Sequence, residues 1–379
     1  MKSFVFDLRT RLVFGEGTLK DLGALAGELG LTRTLLVADP GLVQAGHAER
    51  AMGILAEAGV AATLFQDFEA DPDSAMVERG RRFAEPLGID SIVGLGGGSS
   101  LDCAKGINFL LTNGGEMKDY RGYGHAQRPM LPMIGIPTTA GTGSEAQSYA
   151  VISDSETHLK MACGDPKAAF RVAILDPDLT LSQPAQVTAV SGFDAIAHAV
   201  ETYVSKKRTP LSACFSREAW RLLEANYERV LSHPEDAAAR GAMQLGAYFS
   251  GCAIENSMVG AAHACANPLS ARYGTTHGVA IALLLPHVVR WNQPVSGNCY
   301  DELLNLSGQN SSKSRVTSLS RRLEQLIVCG NLPVGLREVG VRESDLSVMA
   351  EEAARHWTSQ FNPRPLDVSG ALEVYQCAF

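Results

Sequence analysis

The segment Ser91-Ile-Val-Gly-Leu-Gly-Gly-Gly-Ser-Ser-Leu-Asp-Cys-Ala-Lys105 joins an apolar run, a run of glycines and the start of a helix. The apolar residues 91–95 predict a buried strand. Glycines let the backbone approach a ligand closely, and the N-terminus of a helix offers unpaired N–H groups and a partial positive charge. The segment therefore predicts the strand–turn–helix unit of an α/β fold, with a place for a nucleotide pyrophosphate. Its glycine spacing is not G-x-G-x-x-G, and a plain tight turn explains the same glycines equally well.

The same alternation of strand and helix extends over the first half of the chain. Strands are predicted at residues 34–38, 61–68, 91–95, 130–137 and 171–175, and helices at residues 44–59 and 74–87. Repeated strand–helix units are typical of a mostly parallel, doubly wound sheet. Residues 154–160 are predicted to form the tip of a β-hairpin that is added to this sheet.

A change of pattern after Pro184 predicts a second domain. From residue 186 to residue 378 the apolar residues follow a helical periodicity, with few β-branched runs. A chain of 379 residues also exceeds the size of one typical core. The sequence therefore predicts an α/β dinucleotide-binding domain at residues 1–183 and an all-helical domain at residues 184–379.

The overall composition excludes several classes of protein. The net charge of −8 disfavours a non-specific nucleic-acid binder, because such proteins neutralise phosphates with clustered Lys and Arg. The N-terminus is charged too early for a signal peptide, and the longest apolar run, residues 279–285, is far shorter than a membrane span. Eight cysteines without a C-x-x-C pair indicate reduced thiols, and therefore a cytoplasmic protein.

A second glycine-rich turn, Thr138-Thr-Ala-Gly-Thr-Gly-Ser-Glu145, follows the strand predicted at residues 130–137. Hydroxyls and exposed amides at the C-terminal end of a strand suit a ribose or phosphate in an open α/β sheet. Asp39 ends another predicted strand, where a carboxylate can accept hydrogen bonds from an adenosine ribose and would repel a 2′-phosphate. This favours NAD over NADP, although Asp39 equally suits a cap before Pro40 and Gly41.

Four residues of the predicted helical domain could bind a metal ion together. Asp194 and His198 lie one helical turn apart, so their side chains leave the same face of a helix. His263 lies in an apolar helical stretch, and His277 follows a break at Gly274. One carboxylate and three imidazoles suit Fe²⁺ or Zn²⁺ better than Ca²⁺ or Mg²⁺. Taken singly, the Asp–His pair is typical of a surface contact, and His263 of a satisfied core residue.

With these motifs in place, the chain resembles the iron-containing (group III) alcohol dehydrogenases, a family related to lactaldehyde reductase and 1,3-propanediol dehydrogenase. The matching segments are Gly96-Gly-Gly-Ser-Ser-Leu-Asp-Cys-Ala-Lys105, Pro137-Thr-Thr-Ala-Gly-Thr-Gly-Ser-Glu145, Gly192-Phe-Asp-Ala-Ile-Ala-His-Ala-Val-Glu201, residues 263–292 and Asn362-Pro-Arg364. The resemblance covers essentially the whole chain. It implies a dehydroquinate synthase-like architecture, in which an all-helical metal-binding domain follows the nucleotide-binding domain, and it implies a homodimer.

The resemblance also implies roles for single residues. The metal ligands would be Asp194, His198, His263 and His277. The pyrophosphate would lie at Gly97, Gly98 and Ser99, with Asp102 nearby, and the adenine, ribose or phosphate at Thr138, Thr139, Thr142 and Ser144. Lys160 would reach the nicotinamide ribose, Asp39 would select NAD, and Asp71 would lie near the adenosine at a position that is often Asn. The substrate and nicotinamide pocket would be lined by Tyr149, Val151, Ile254 and Phe361.

The sequence departs from the family at one position of the expected site. Family members commonly have a second histidine four residues after the third metal ligand, near the nicotinamide and in the proposed proton path. Here that position is Asn267, the candidate catalytic position of this chain. An amide can hydrogen-bond a substrate or ribose hydroxyl but cannot titrate near neutral pH. Either the proton leaves through water and ribose, or the pocket handles a different substrate.

The resulting prediction is a metal-dependent, NAD-linked dehydrogenase that transfers hydride between nicotinamide and a small alcohol, diol or hydroxyaldehyde. The metal would be Fe²⁺ or Zn²⁺, which the ligand types do not separate. Related alternatives are a glycerol dehydrogenase, a maleylacetate reductase-like oxidoreductase and a dehydroquinate synthase-like lyase that uses NAD and metal. The full Asp/His/His/His set counts against the first two, and the scarcity of Arg and Lys at residues 240–280 counts against the lyase. A non-enzymatic scaffold is the alternative from another class, and it predicts no bound metal.

Overall fold

The computed structural model describes residues 3–307 and 317–379, which divide into two units. The α/β unit contains residues Asp7–Thr139 and Gly143–Gln183. The helical unit contains Pro184–Phe379 together with Ala140–Thr142 and the N-terminal segment that ends at Phe6. The assignment of residues 1–183 and 184–379 to domains with separate roles stays a prediction.

Six strands of the α/β unit form one sheet in which every neighbouring pair is parallel. The strands are β1 (Arg11–Phe14), β2 (Arg33–Val37), β3 (Ala61–Phe65), β4 (Ser91–Gly96), β6 (Met133–Pro137) and β9 (Val172–Leu175). Their order in space is β1-β9-β6-β4-β2-β3. A smaller sheet has the order β5-β8-β7 and contains β5 (Gly122–Tyr123), β7 (Tyr149–Ser153) and β8 (Lys160–Gly164). Because β7 and β8 are antiparallel, the hairpin predicted around residues 154–160 is confirmed. Its expected addition to the larger sheet is wrong, because β8 pairs with β5 in the smaller sheet.

Both faces of the larger sheet are covered by apolar residues. Successive side chains of a strand point to opposite faces, so Leu35 of β2 belongs to one core cluster and Leu36 to the other. Ile92 and Val93 of β4 divide in the same way. A sheet that is buried on both faces is typical of parallel α/β proteins. Its helices are α1 (Leu22–Glu28), α2 (Pro40–Gln44), α3 (His47–Glu57), α4 (Ser74–Ala84) and α5 (Gly98–Asn113).

The second unit is built from helices, and its described residues after Pro184 contain no strand. The helices are α6 (Ala185–Val204), α7 (Pro210–Ser232), α8 (Ala237–Asn256), α9 (Ala261–Tyr273), α10 (His277–Leu306), α11 (Leu319–Cys329), α12 (Leu346–Arg355) and α13 (Val368–Ala378). Every residue of α6 from Gly192 to Val204 is buried, which is the pattern of a central helix. The predicted fold class, a mostly parallel α/β unit followed by a helical one, is confirmed. Among the described helices none has the length and apolar character that a membrane span requires.

Candidate active site

Four potential metal ligands converge inside the helical unit. Asp194 and His198 lie one turn apart on α6, His263 lies in the first turn of α9, and His277 is the first residue of α10. The Oδ1 atom of Asp194 lies 3.7 Å from Nε2 of His198 and 3.8 Å from Nε2 of both His263 and His277. One ligand atom each from Asp194, His263 and His277 lies within 4.8 Å of the other two, which suits one small cation, and His198 approaches this group at the Asp194 carboxylate.

The charge and burial of this cluster also suit a cation. The side chains of Asp194, His198 and His263 are at most 8% exposed, whereas His277 is 22% exposed. Oδ1 of Asp194 is buried and accepts no hydrogen bond from the described residues, which is costly for a carboxylate oxygen. Burial lowers the pKa of His198 against the opposing effect of Asp194, and this favours the neutral imidazole that binds metals. A divalent ion would therefore compensate the buried negative charge.

The start of α10 lies close to α6 because residue 278 is a glycine. A Cβ atom on Gly278 would lie 2.6 Å from the carbonyl oxygen of Val190 and 2.7 Å from its Cγ1. Real Cβ atoms do not approach backbone this closely. The pair His277-Gly278 thus combines a potential ligand with the small residue that lets its helix pack against α6.

Glu201 was given no role from the sequence, and the structure places it beside the cluster. It lies three residues after His198 on α6, and its carboxylate forms a hydrogen bond with Nδ1 of His263. The helical spacing from Asp194 and His198 was a usable signal, because residues three and seven positions apart share a helix face. The contact to residue 263 depends on tertiary packing and was not visible in the spacing.

In the α/β unit, the two glycine-rich turns meet at one edge of the sheet. They follow the adjacent parallel strands β4 and β6, where Gly96 is the register partner of Pro137 and Thr138 N donates to Gly96 O at 3.0 Å. Gly96 has φ +144°, and a Cβ there would lie 2.3 Å from Oγ of Ser100. This position therefore requires glycine. The next residues, Gly97, Gly98 and Ser99, form the partly exposed start of α5.

Asp102 and Ser144, which the resemblance placed at the nucleotide, contact each other. Ser144 Oγ donates to Asp102 Oδ1 at 2.5 Å, and Val151 N donates to Asp102 Oδ2 at 3.1 Å. The fully buried Lys105 donates from Nζ to Ser144 O at 2.8 Å, to Ser144 Oγ at 2.7 Å and to Tyr149 O at 2.6 Å. These bonds connect α5 with the second turn and with β7. Their cofactor contacts stay a prediction.

The remaining nucleotide candidates follow strands of the larger sheet, except Lys160, which begins β8 of the smaller sheet. Asp39 caps α2 by accepting from Gly41 N at 2.9 Å, and its other oxygen accepts from Ser100 Oγ at 3.2 Å. Lys160 donates to Asp71 Oδ1 at 2.8 Å, and Asp71 has φ +54°, a left-handed conformation that Asn also tolerates. Thr138 is buried, whereas Thr139 and Thr142 are partly buried. The capping interpretation of Asp39 is confirmed, and its choice between NAD and NADP stays a prediction.

The four residues suggested for the substrate pocket are divided between the two units. Tyr149 and Val151 lie on β7, and the Val151 side chain is exposed. Ile254 lies near the end of α8, and Phe361 ends a short 3₁₀ helix at Trp357–Phe361. Asn267 lies one turn after His263 on α9, and its Nδ2 donates to His263 O at 2.8 Å. Whether these residues contact a substrate stays a prediction.

Comparisons with known proteins agree along the whole chain. A family model described as iron-containing alcohol dehydrogenase matches residues 9–177, and a model for the C-terminal part of the Fe-containing alcohol dehydrogenase family matches residues 188–379. An NAD-dependent methanol dehydrogenase from Bacillus methanolicus is 33% identical over 370 residues, with 97% of each chain covered. Lactaldehyde reductase from Escherichia coli K12 is 31% identical over 376 residues, again with 97% of each chain covered. The crystal structure of a 1,3-propanediol oxidoreductase superposes with a TM-score of 0.95 at 31% identity and covers both chains fully.

Proposed function

Because the chain belongs to the iron-containing alcohol dehydrogenase family, we propose that it is a metal-dependent, NAD-linked dehydrogenase of a small alcohol, diol or hydroxyaldehyde. The resemblance inferred from the motifs is thereby confirmed, and the chain is an oxidoreductase of that family. The substrate, the metal and the nucleotide are parts of the proposal. We also expect a homodimer, which light scattering of the purified protein would test.

The observation that carries the proposal is the buried Asp194 carboxylate facing three Nε2 atoms at 3.7 to 3.8 Å. One carboxylate and three imidazoles form a donor set for Fe²⁺ or Zn²⁺. When bound, such an ion would polarise a substrate oxygen as a Lewis acid. Asp194 would balance part of its charge, and the surrounding apolar helices would limit the access of water.

A dinucleotide would be bound by the strand ends of the α/β unit. The partly exposed first turn of α5 offers backbone N–H groups and the positive end of the helix dipole to a pyrophosphate. Gly96, just before this turn, has no side chain that would hinder the pyrophosphate from reaching the backbone. Asp39 supports NAD, because its carboxylate would repel a 2′-phosphate. The name of the Bacillus methanolicus relative supports the same nucleotide.

Asn267 limits how a proton could leave the site. Its Nδ2 donates to the carbonyl of His263, and an amide does not titrate near neutral pH. We therefore propose that the proton passes through water or a ribose hydroxyl. An N267H variant would introduce a titratable group, and the pH profile of kcat should then gain an ionisation in the neutral range that the wild type lacks.

The proposal is tested by metal analysis together with turnover. The protein is purified without chelator and its metal is quantified. It is then stripped, reconstituted separately with Fe²⁺ or Zn²⁺, and followed by NADH absorbance with glycolaldehyde, lactaldehyde and short unbranched aldehydes. We expect close to one ion per chain, and NADH oxidation that is abolished by chelation and restored by one of the two cations.

Two variants separate a specific site from adventitious binding. H263N should lose the tightly bound ion, whereas H233N, which changes an exposed histidine after α7, should retain it. If the protein bound metal but oxidised no NADH with any of the aldehydes, the result would favour a lyase-like reaction instead. Failure of the reconstituted wild type to bind either cation would refute the metal centre.

A further inference from the structure

Glu201 is a buried carboxylate with two hydrogen-bond partners on α9. Its side chain is 4% exposed and lies on α6, seven residues after Asp194. Oε1 accepts from Ala262 N at 2.7 Å, and Oε2 is hydrogen-bonded to Nδ1 of His263. One carboxylate thus contacts both the backbone of the first turn of α9 and the imidazole that this turn carries.

The first turn of α9 receives its caps from other elements. Its N-cap residue is Gly260, which has no side chain that could accept the N–H groups left unpaired at a helix start. Glu201 accepts from Ala262, and Asn362 Oδ1 accepts from Ala261 N at 3.2 Å. A negative group at a helix N-terminus is also favoured by the helix dipole. These contacts fix the turn from which the His263 side chain projects.

The hydrogen bond to Glu201 also determines which nitrogen of His263 carries the proton. An ionised carboxylate only accepts hydrogen bonds, so the neutral imidazole must be protonated at Nδ1. Its lone pair is then on Nε2, the atom that lies 3.8 Å from Oδ1 of Asp194. The opposite tautomer would place a hydrogen on Nε2 and block it as a metal ligand.

We propose that Glu201 is a positioning residue that holds His263 in the Nδ1–H tautomer and orients its Nε2 toward a cation at Asp194. The inference rests on the proposed metal centre. Hydrogen-bond partners of this kind commonly change metal affinity by ~10- to 100-fold when they are removed. Glu201 would therefore influence the metal centre without binding the ion.

Replacement of Glu201 by glutamine separates the tautomer from the packing. Two donors face residue 201, the N–H groups of Ala262 and of the His263 ring, but a glutamine amide offers one oxygen and one NH₂. If the oxygen accepts from Ala262, the NH₂ faces Nδ1, and His263 must move its proton to Nε2. E201Q has nearly the same shape as the wild-type residue, so the helix contacts are retained while the tautomer is inverted.

The experiment combines ¹⁵N NMR of histidine-labelled, metal-free protein with Zn²⁺ titration of wild type, E201Q and E218Q. The spectra are recorded at mildly alkaline pH, where a histidine of ordinary pKa is neutral. The signal of His263 is identified by its loss in H263N. E218Q is the matched control, because Glu218 is a partly exposed residue of α7 that pairs with Arg221.

We expect protonated Nδ1 and unprotonated Nε2 for His263 in wild type and in E218Q. In E201Q the proton should lie on Nε2, and Zn²⁺ should bind ~10- to 100-fold more weakly. A wild-type His263 that is protonated on Nε2 would overturn the inference, and this result needs no variant to fold. Unchanged Zn²⁺ affinity and tautomer in folded E201Q would also overturn it. A wild type with the expected tautomer that binds no metal would instead refute the proposed function and leave the positioning by Glu201 supported.

Discussion

The substitution K105M should destabilise the α/β unit strongly, because Lys105 is a fully buried ammonium group. Its Nζ donates to Ser144 O, Ser144 Oγ and Tyr149 O at 2.6 to 2.8 Å and lies 3.5 Å from Asp102 Oδ1. Methionine has a similar length and retains the apolar contacts of the stem. The substitution therefore removes the charge and the three hydrogen bonds with little change of volume.

The expected loss of unfolding free energy follows from these contacts. Removing one partner of a buried charge pair typically costs about 3–5 kcal/mol, because the remaining charge is left uncompensated. Burial already raises the pKa of Asp102 against the opposing effect of Lys105, so loss of the ammonium should raise it further. For a domain of this size, ~1 kcal/mol corresponds to ~2–4 °C in Tm, so a decrease of roughly 6–20 °C is expected.

Urea unfolding of wild type, K105M and K118M would measure this effect. Lys118 is an exposed lysine whose surface ion pair with Glu116 should contribute little to stability, which makes K118M the matched control. The double variant D102N/K105M should recover part of the loss, because it removes the uncompensated carboxylate as well. If K105M and K118M lost similar amounts of stability, the reasoning that Lys105 connects α5 with the second turn would be wrong.

Three further predictions concern the α/β unit. D39A should cost about 1 kcal/mol of stability through the lost cap of α2, and it should lower the kcat/KM preference for NADH over NADPH if Asp39 selects the nucleotide. Burial raises the pKa of Glu145 from its ordinary value of 4.5 to about 7, so between these pH values the unfolded chain loses its proton more readily than the folded one. The free energy of unfolding of the wild type should therefore fall relative to that of E145Q as pH rises from 4.5 to 7. Urea unfolding across that window would measure the difference. G96A should destabilise the protein, because the added Cβ would collide with Ser100. G27A should stabilise it by roughly 0.5–1 kcal/mol, because Gly27 lies in an exposed part of α1 and a Cβ there would have no atom within 4 Å. The two variants should therefore shift the Tm in opposite directions.

The parts of the fold that the sequence predicted well are those in which burial dominates. The apolar run at 91–95 became β4 (Ser91–Gly96), because a strand covered on both faces needs apolar residues throughout. The edge strand β1 (Arg11–Phe14) was missed, since its residues are exposed or only half-buried and its apolar run is only three residues long. The helix predicted at 44–59 is α3 (His47–Glu57), which begins later because Gly46 adopts φ +78°. The short helix α2 (Pro40–Gln44) that precedes it was missed.

The same distinction applies to the site. Asp194 and His198 could be paired from their spacing, because a helix fixes the relation between residues four apart. His263 and His277 could be named as candidates from their residue type, but their approach to Asp194 was not visible in the spacing, since the meeting of three helices is a property of tertiary packing. Glu201 was missed although it is close in sequence to His198, because its partner on α9 lies 62 residues away. Local spacing therefore predicts which ligands share a helix but not which groups orient them.

One helix thus organises the candidate metal centre. α6 supplies Asp194 and His198 directly, and its continuous burial from Gly192 to Val204 leaves this part of the helix little freedom to move. Near its end, Glu201 holds the first turn of α9 and with it His263. Near its beginning, the backbone of Val190 packs closely against Gly278, and this contact positions His277 at the start of α10. Because both partner helices are positioned against α6 at their N-termini, a change in either contact should alter the metal centre before it alters the hydrophobic core.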